Sequence, residues 1–241
     1  NGDGKADLAV GNFAGTSAFI LLGEGDGTFE GAIAEGTGTG VSAVLLAELV
    51  DDADLDFAVV NYSTGKVSVF EGLGNGGFGS PVPYTVESQP LSIGAADLNG
   101  DGRKDMAVGN SGGDSISVIL STGGGTSFGP TVRNPTSAGA GTGLGPNSIT
   151  TADLNSDGKI GLATANTYSD DVSVLAGTGN GTFGPARVFP AGEAPEGIST
   201  GNLTNDPKPD LVAAIPSTNL ASVLPGDGLG AFATPQNFVA A

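Results

Sequence analysis

The chain has 241 residues, with 26 acidic against 8 basic side chains, a formal charge of −18, and neither Cys nor His. That balance leaves no basic patch to neutralise nucleic-acid phosphate or an anionic membrane surface, and it makes cations the natural counter-charge. The missing Cys and His remove disulfides, thiolate catalysis, Cys-based zinc sites and the commonest general base.

Gly (43 residues) and Pro (14 residues) approach low-complexity levels, but 38 % apolar residues supply a core and the Gly and Pro recur at fixed offsets as turn punctuation. One residue recurs as Asp7, Asp56, Asp105, Gly161 and Asp210, at spacings of 49, 49, 56 and 49, and an aromatic follows it as Phe29, Phe78, Phe128, Phe183 and Phe232. Self-similarity at this period marks a propeller, solenoid or array. Each unit reads as four strands. Strand A (SIGAADL, SITTADL and GISTGNL in the last three units) leads into an acidic loop, and strand B follows as DLAVGN, DFAVVN, DMAVGN, GLATAN and DLVAAI. Strand C is AFILLG, VSVFEG, ISVILS, VSVLAG and ASVLPG; a Gly-rich turn then leads through the Phe to strand D, as in FGSPVPYTV and FGPARVF. Short β-branched and apolar runs bounded by Gly, Asn, Asp and Pro, with no sustained 3.6-residue period, are strands.

The expected fold class is therefore all-β, a β-propeller of four-stranded antiparallel blades; a parallel β-helix would show shorter periods and fewer hairpins. The blades fall at about 1–38, 39–87, 88–143, 144–192 and 193–241 of one domain. The first unit opens inside its acidic loop and lacks strand A. An excerpt of a larger propeller is the favoured reading, with an inner strand supplied from elsewhere as the other.

The stretch DLNGDGRKD places Asp97, Asn99, Asp101 and Asp105 at loop positions 1, 3, 5 and 9, with Gly102 where the backbone must turn sharply. Four side-chain oxygens and the carbonyl of Arg103 suit the six to eight oxygen ligands that Ca2+ prefers. An EF-hand is excluded, since position 12 is Val108 rather than Glu and the exit MAVGN is β-patterned.

DLNGDG followed by DMAVGN, SVIL and a Gly-rich turn ending in Phe-Gly resembles the FG-GAP/VCBS repeats, the units of integrin-α-type propellers and of many bacterial surface and secreted proteins. The resemblance implies Ca2+ in the loop from strand A to strand B and a ligand face on the opposite loops. By position, it extends the metal set to Asp153, Asn155, Asp157 and the Lys159 carbonyl, where Gly161 replaces a carboxylate. It further extends to Asn202, Thr204, Asp206 and Asp210; to Glu48, Asp52 and Asp56, where Val50 cannot ligate; and to Asn1, Asp3 and Asp7. Occupancy is expected to rank loop three first and loop four second.

The motif GLGNGG (72–77) fits a dinucleotide loop, but it lies in a turn repeated in every unit with no helix after it, so it is a hairpin turn. Each Phe that follows such a turn is expected to pack between blades. The loops from strand B to strand C place Phe13, Tyr62 and Tyr168 as an aromatic platform for a sugar or peptide, with Asp114, Asp170 and Asp171 as polar partners. The absence of Trp weighs against a lectin. The excess of the third period, Asn134–Pro146, reads as a mobile Gly-rich loop at this face. Asn61, Asn180 and Asn202 open glycosylation triplets.

Glycoside hydrolysis needs two carboxylates at a set separation, and nearly every conspicuous Asp is already placed in a calcium loop. The expected function is a secreted or cell-surface, calcium-stabilised and non-catalytic binding or adhesion module of bacterial type, recognising glycan or protein. The alternatives are a self-associating surface or filament subunit and a polysaccharide-active propeller.

Overall fold

The computed structural model describes residues 1–240; Ala241, the last residue of the fifth unit, lies outside the described residues. Five antiparallel sheets follow one another along the chain. The first holds β1 (Leu8–Gly11), β2 (Ser17–Leu21) and β3 (Ile33–Gly36). The second holds β4 (Val41–Ala47), β5 (Asp56–Asn61), β6 (Lys66–Phe70) and β7 (Val82–Thr85), and the third β8 (Pro90–Ala96), β9 (Asp105–Asn110), β10 (Ser115–Ile119) and β11 (Val132–Pro135). The fourth holds β12 (Pro146–Ala152), β13 (Gly161–Asn166), β14 (Asp171–Leu175) and β15 (Arg187–Pro190), and the fifth β16 (Gly197–Gly201), β17 (Asp210–Ile215), β18 (Leu220–Leu224) and β19 (Gln236–Val239). Each sheet is a meander in chain order, the repeated all-β blade that the periodicity predicts. The first blade has three strands with β1, a strand B, at its edge.

Strand B explains the packing. In β5, β9 and β13 every residue is buried, so both faces of the strand are covered. Because successive side chains point to opposite faces, each strand B serves two blade junctions at once. Phe57 and Val59 pack back against Ala18 and Ile20 of the first blade, while Ala58 and Val60 pack forward against Met106, Val108 and Ile119 of the third. The junction of the third and fourth blades joins Ala107, Ile116 and Val118 to Leu162 and Leu175. The last junction joins Ala163, Val172 and Val174 to Leu211, Ala213 and Leu224.

Four of the five repeated Phe residues add to these clusters, as expected, while Phe29 of the first blade stays 39 % exposed. Phe128 meets Tyr84 of the preceding blade edge-on at 5.4 Å, Phe232 meets Phe189 at 5.5 Å, and Phe78 packs on Phe57 at 5.5 Å. The inner strands pack in chain order, β1 on β4, β4 on β8, β8 on β12 and β12 on β16, and the series is not closed between the first blade and the last.

Candidate functional site

The acidic loops and the loops from strand B to strand C lie at opposite ends of the blades. In the third acidic loop, Asp97 accepts hydrogen bonds from the backbone amides of Gly100 (2.7 Å), Asp101 (3.1 Å) and Gly102 (2.8 Å). Asn99 accepts from the Asp101 amide and Asp101 from the Arg103 amide, each at 2.9 Å, so the loop is a chain of short Asx turns. Gly100 and Gly102 supply φ of +80° and +87°. Burial raises the Asp97 carboxyl, but the amides of Gly102, Gly100, Asp101 and Asn99 outweigh it and hold it below the usual carboxylate range. The Arg103 guanidinium pairs with Asp101.

Asp105 has a job the sequence did not announce. It is fully buried, and its Oδ2 accepts the Leu98 amide at 2.9 Å while its Oδ1 accepts the Ser121 amide at 2.8 Å. It thereby clamps the acidic loop to the end of strand C. The same clamp recurs. Asp56 accepts from Leu49, Val50 and Gly72, Asp210 from Leu203, Thr204 and Gly226, and Asp7 from Gly23 and the chain's amino terminus. Burial pushes Asp56 and Asp105 above the usual carboxylate range against the amides that hold them. In Asp210 the same burial is outweighed by the amides of Gly226, Leu203 and Thr204, and in Asp7 the Gly23 amide leads, so both sit below that range.

The other predicted loop residues make local turns. Asp153 accepts from Asp157 and Gly158, Asn155 donates to Asp157, and Asp157 accepts from Lys159. Thr204 donates to Asp206, which pairs with Lys208, while Asn202 stands exposed. Glu48 accepts from Asp51 and Asp52 from Asp54, while Val50 is buried in the core. Asn1 and Asp3 bond to each other. Among the described residues no three acidic side chains converge as a metal cage. The donor set is nevertheless all oxygen, and carboxylate oxygens that accept one amide keep lone pairs for a hard cation.

The side chain at loop position 7 lies along the Gly-rich turn of its own blade. A Cβ on Gly25, Gly123, Gly179 or Gly228 would stand 3.4, 3.7, 3.1 or 3.2 Å from Lys5, Arg103, Lys159 or Lys208, and each of these glycines also has positive φ. The positive φ of these turn positions, rather than phosphate binding, explains the repeated GxG.

At the opposite end the structure brings together Phe13 and Tyr62, with ring centroids 5.8 Å apart; Phe13 is 56 % exposed. Tyr168 is 72 % exposed but two blades away, against Gly145, so the three aromatics do not form one platform. The three acids expected as polar partners also serve the fold. Asp114 accepts the Gly145 amide (2.9 Å), Asp170 accepts the Ala194 amide (2.8 Å), and Asp171, 5 % exposed, accepts the Gly143 amide and Asn166 Nδ2. Asp114 and Asp170 hold the left-handed turn position, φ +46° and +60°, that Gly65 and Asn219 hold elsewhere. The insert expected to be mobile is therefore pinned, through Gly143, Leu144 and Gly145, to Asp171, Ser169 and Asp114. Asn61 is buried with its Nδ2 on the Thr37 carbonyl, which closes that glycosylation triplet.

Tyr62 also borders a cleft of about 390 Å³ toward the third blade, with Ser63, Thr64, Glu87, Ser88 and Gln89. The last three were passed over because the linker from strand D to strand A shows no repeated side-chain pattern. The one signal lies in the backbone. The residue before strand A is left-handed in three blades, as Gly40, Gln89 and Gly145, and Ala194 holds the same conformation three residues before β16; among these four Gln89 is the only long side chain.

No helix among the described residues is long and apolar enough to cross a membrane. No curated protein sequence matches the chain. Among solved structures, a putative 6-phosphogluconolactonase from Bacteroides uniformis is 17 % identical, with a TM-score of 0.70 over 97 % of this chain and 68 % of its own. An Agrocybe aegerita lectin with specific recognition of non-reducing terminal N-acetylglucosamine is 18 % identical, with a TM-score of 0.50 over 98 % of this chain and 77 % of its own. The V. cholerae biofilm matrix protein Bap1 is 18 % identical, with a TM-score of 0.57 over 100 % of this chain and 38 % of its own. At these identities the likeness is one of fold. The FG-GAP-like repeat profile matches residues 48–108, 97–164 and 153–213, more than half of the 241 residues, and the chain belongs to the FG-GAP-like repeat family.

Proposed function

We propose that this is a calcium-stabilised, secreted or cell-surface propeller that binds a glycan or a protein at the end formed by the loops from strand B to strand C, without transforming it. The observation that carries the reading is the Phe13–Tyr62 pair, which leaves apolar ring surface exposed beside a polar cleft. A lectin and a biofilm matrix protein among the fold neighbours support a binding role. A putative lactonase is also among the fold neighbours. Against catalysis here, the carboxylates whose burial raises them, Asp56, Asp105 and Asp171, are buried and committed to amide partners, where a general acid must reach its substrate. Calcium would take oxygens of Asp97, Asn99, Asp101 and Asp105 and the Arg103 carbonyl, and would neutralise repulsion among the carboxylates.

The test is binding of the labelled protein to immobilised glycans and to extracellular protein fractions. Phe13→Ala combined with Tyr62→Ala should weaken capture at unchanged melting temperature; undiminished capture would remove this end from consideration. Release of sugar products from a polysaccharide would overturn the non-catalytic reading.

A further inference from the structure

We infer that the cleft between the second and third blades, bordered by Tyr62, takes a neutral sugar residue, an inference that rests on the binding role proposed above. Tyr62, Ser63, Thr64, Glu87, Ser88 and Gln89 line it, and none of these six side chains hydrogen-bonds to the protein among the described residues. Part of the backbone beneath them is engaged. The Val86 amide bonds to Gly65 and the Glu87 amide to Ser117 Oγ, while the Gln89 and Ser88 carbonyls accept from Ser111 and Gly112. These bonds hold part of the wall while the polar tips remain available, an arrangement that limits reorganisation on binding.

A space at the same end of the fourth blade, formed with the insert that precedes that blade rather than with the linker that follows it, gives a contrast. It is larger, about 560 Å³, but its polar groups are already used: Asp171 and Ser169 hold Gly143 and Leu144, and Thr142 bonds to Gly139. Polar residues there serve the fold. Those around Tyr62 do not.

The chemistry of the lining selects the ligand. Hydroxyls, one carboxamide and one carboxylate offer both donors and acceptors to sugar hydroxyls, and the Tyr62 ring, backed by Phe13, offers an apolar face to the C–H side of a pyranose. No Lys or Arg lines the cleft, and Glu87 is its one charge, so uronic and sialic acids are disfavoured. The volume lies at the lower end of small-molecule sites and suits a ring better than a folded peptide surface.

Gln89 adds a feature the fold does not require. It holds φ of +52° directly before Pro90, where two other blades use Gly40 and Gly145, so the chain keeps a long amide side chain at a position where glycine is more comfortable. Gly112 makes room for it, since a Cβ there would stand 2.8 Å from Gln89 Oε1 and 2.9 Å from Ser88 Oγ.

The experiment compares wild type, Tyr62→Ala and Gln89→Gly on one array of immobilised neutral and acidic saccharides, with a melting curve for each protein. Wild type should bind neutral saccharides. Tyr62→Ala should lose about tenfold or more, and Gln89→Gly about five- to tenfold, the loss expected for a hydrogen bond or two. Gln89→Gly should also melt at the same or a higher temperature, which a merely structural glutamine would not allow. Neutral saccharides bound equally by all three proteins would overturn this site and leave the binding role standing. Binding restricted to acidic saccharides would overturn the ligand class, and no glycan bound by wild type would overturn both the inference and the glycan reading it rests on.

Discussion

Asp105 receives two amides from different parts of its blade, Leu98 in the acidic loop and Ser121 at the end of strand C, and a carboxylate has an acceptor oxygen for each. In Asp105→Asn one oxygen remains and the new NH2 group faces a buried N–H, leaving donors unpaired. The cost should be about 1–3 kcal/mol, read from urea unfolding in EGTA so that calcium cannot contribute. Equal stability of the two proteins in EGTA would mean that the clamp holds nothing. Asp171 offers a test by pH. Burial pushes its carboxyl up, Asn166, Ser169 and Gly143 pull it back, and the Asp170 charge adds to the rise. The folded chain therefore holds this proton more tightly than the unfolded chain, whose Asp titrates at ~3.9. The resulting stabilisation is fully present below that unfolded pKa and is lost as pH rises through the higher folded one. Lowering the pH from neutrality should raise the melting temperature of wild type relative to Asp171→Asn, since the other carboxylates cancel in the comparison. A flat difference, or one that shrinks in acid, would contradict the assignment.

The blade is where glycine placement becomes informative. Gly161 occupies the clamp position in the fourth blade, and restoring the repeat pattern there looks at first like a stabilising change. The backbone says otherwise. A Cβ on Gly161 would stand 2.8 Å from the Leu175 carbonyl, whereas the turn residue Gly177 approaches the Ile160 carbonyl (2.0 Å) just as Gly23 and Gly226 approach Ala6 and Pro209 in blades that carry the Asp. The Leu175 carbonyl takes up the space that a side chain at position 161 would need. Gly161→Asp should therefore lower stability by about 1–3 kcal/mol, and a thermal scan showing a gain would refute the close approach. At this scale much was legible. Continuous apolar runs such as DFAVVN marked strands buried on both faces, and Phe78, Phe128 and Phe232 marked the blade junctions, because burial leaves its imprint in the side chains. The pinned insert was not legible, since what holds it are the amides of Gly143, Leu144 and Gly145, and glycine-rich sequence looks the same whether its amides are free or bound. The turn role of Asp114 and Asp170 was not legible for a related reason: an Asp at a loop tip has the same letter whether or not it supplies a left-handed turn.

Across the molecule, the repeat of Asp7, Asp56, Asp105 and Asp210 revealed the number and order of blades, whereas the cleft at Tyr62 depends on how two blades meet and leaves no period to find. The acidic loops belong to this scale because their charge is shared: a formal −18 makes every carboxylate cluster a local cost that a divalent cation relieves. With an affinity of about 0.1 mM and calcium at about 1 mM, linkage adds roughly 1.4 kcal/mol per occupied loop. For a chain of this length that corresponds to about 3–6 °C in melting temperature per site. EGTA should lower the melting temperature and added calcium restore it, while sodium chloride at matched ionic strength, which only screens, should not. The third loop alone keeps Asp97, Asn99, Asp101 and Asp105 together, so Asp97→Asn with Asp101→Asn should remove the largest share of the calcium response. A melting curve indifferent to EGTA would reduce these loops to Asx turns, with their carboxylates spent on amides such as Gly100 and Gly102 and on nothing else.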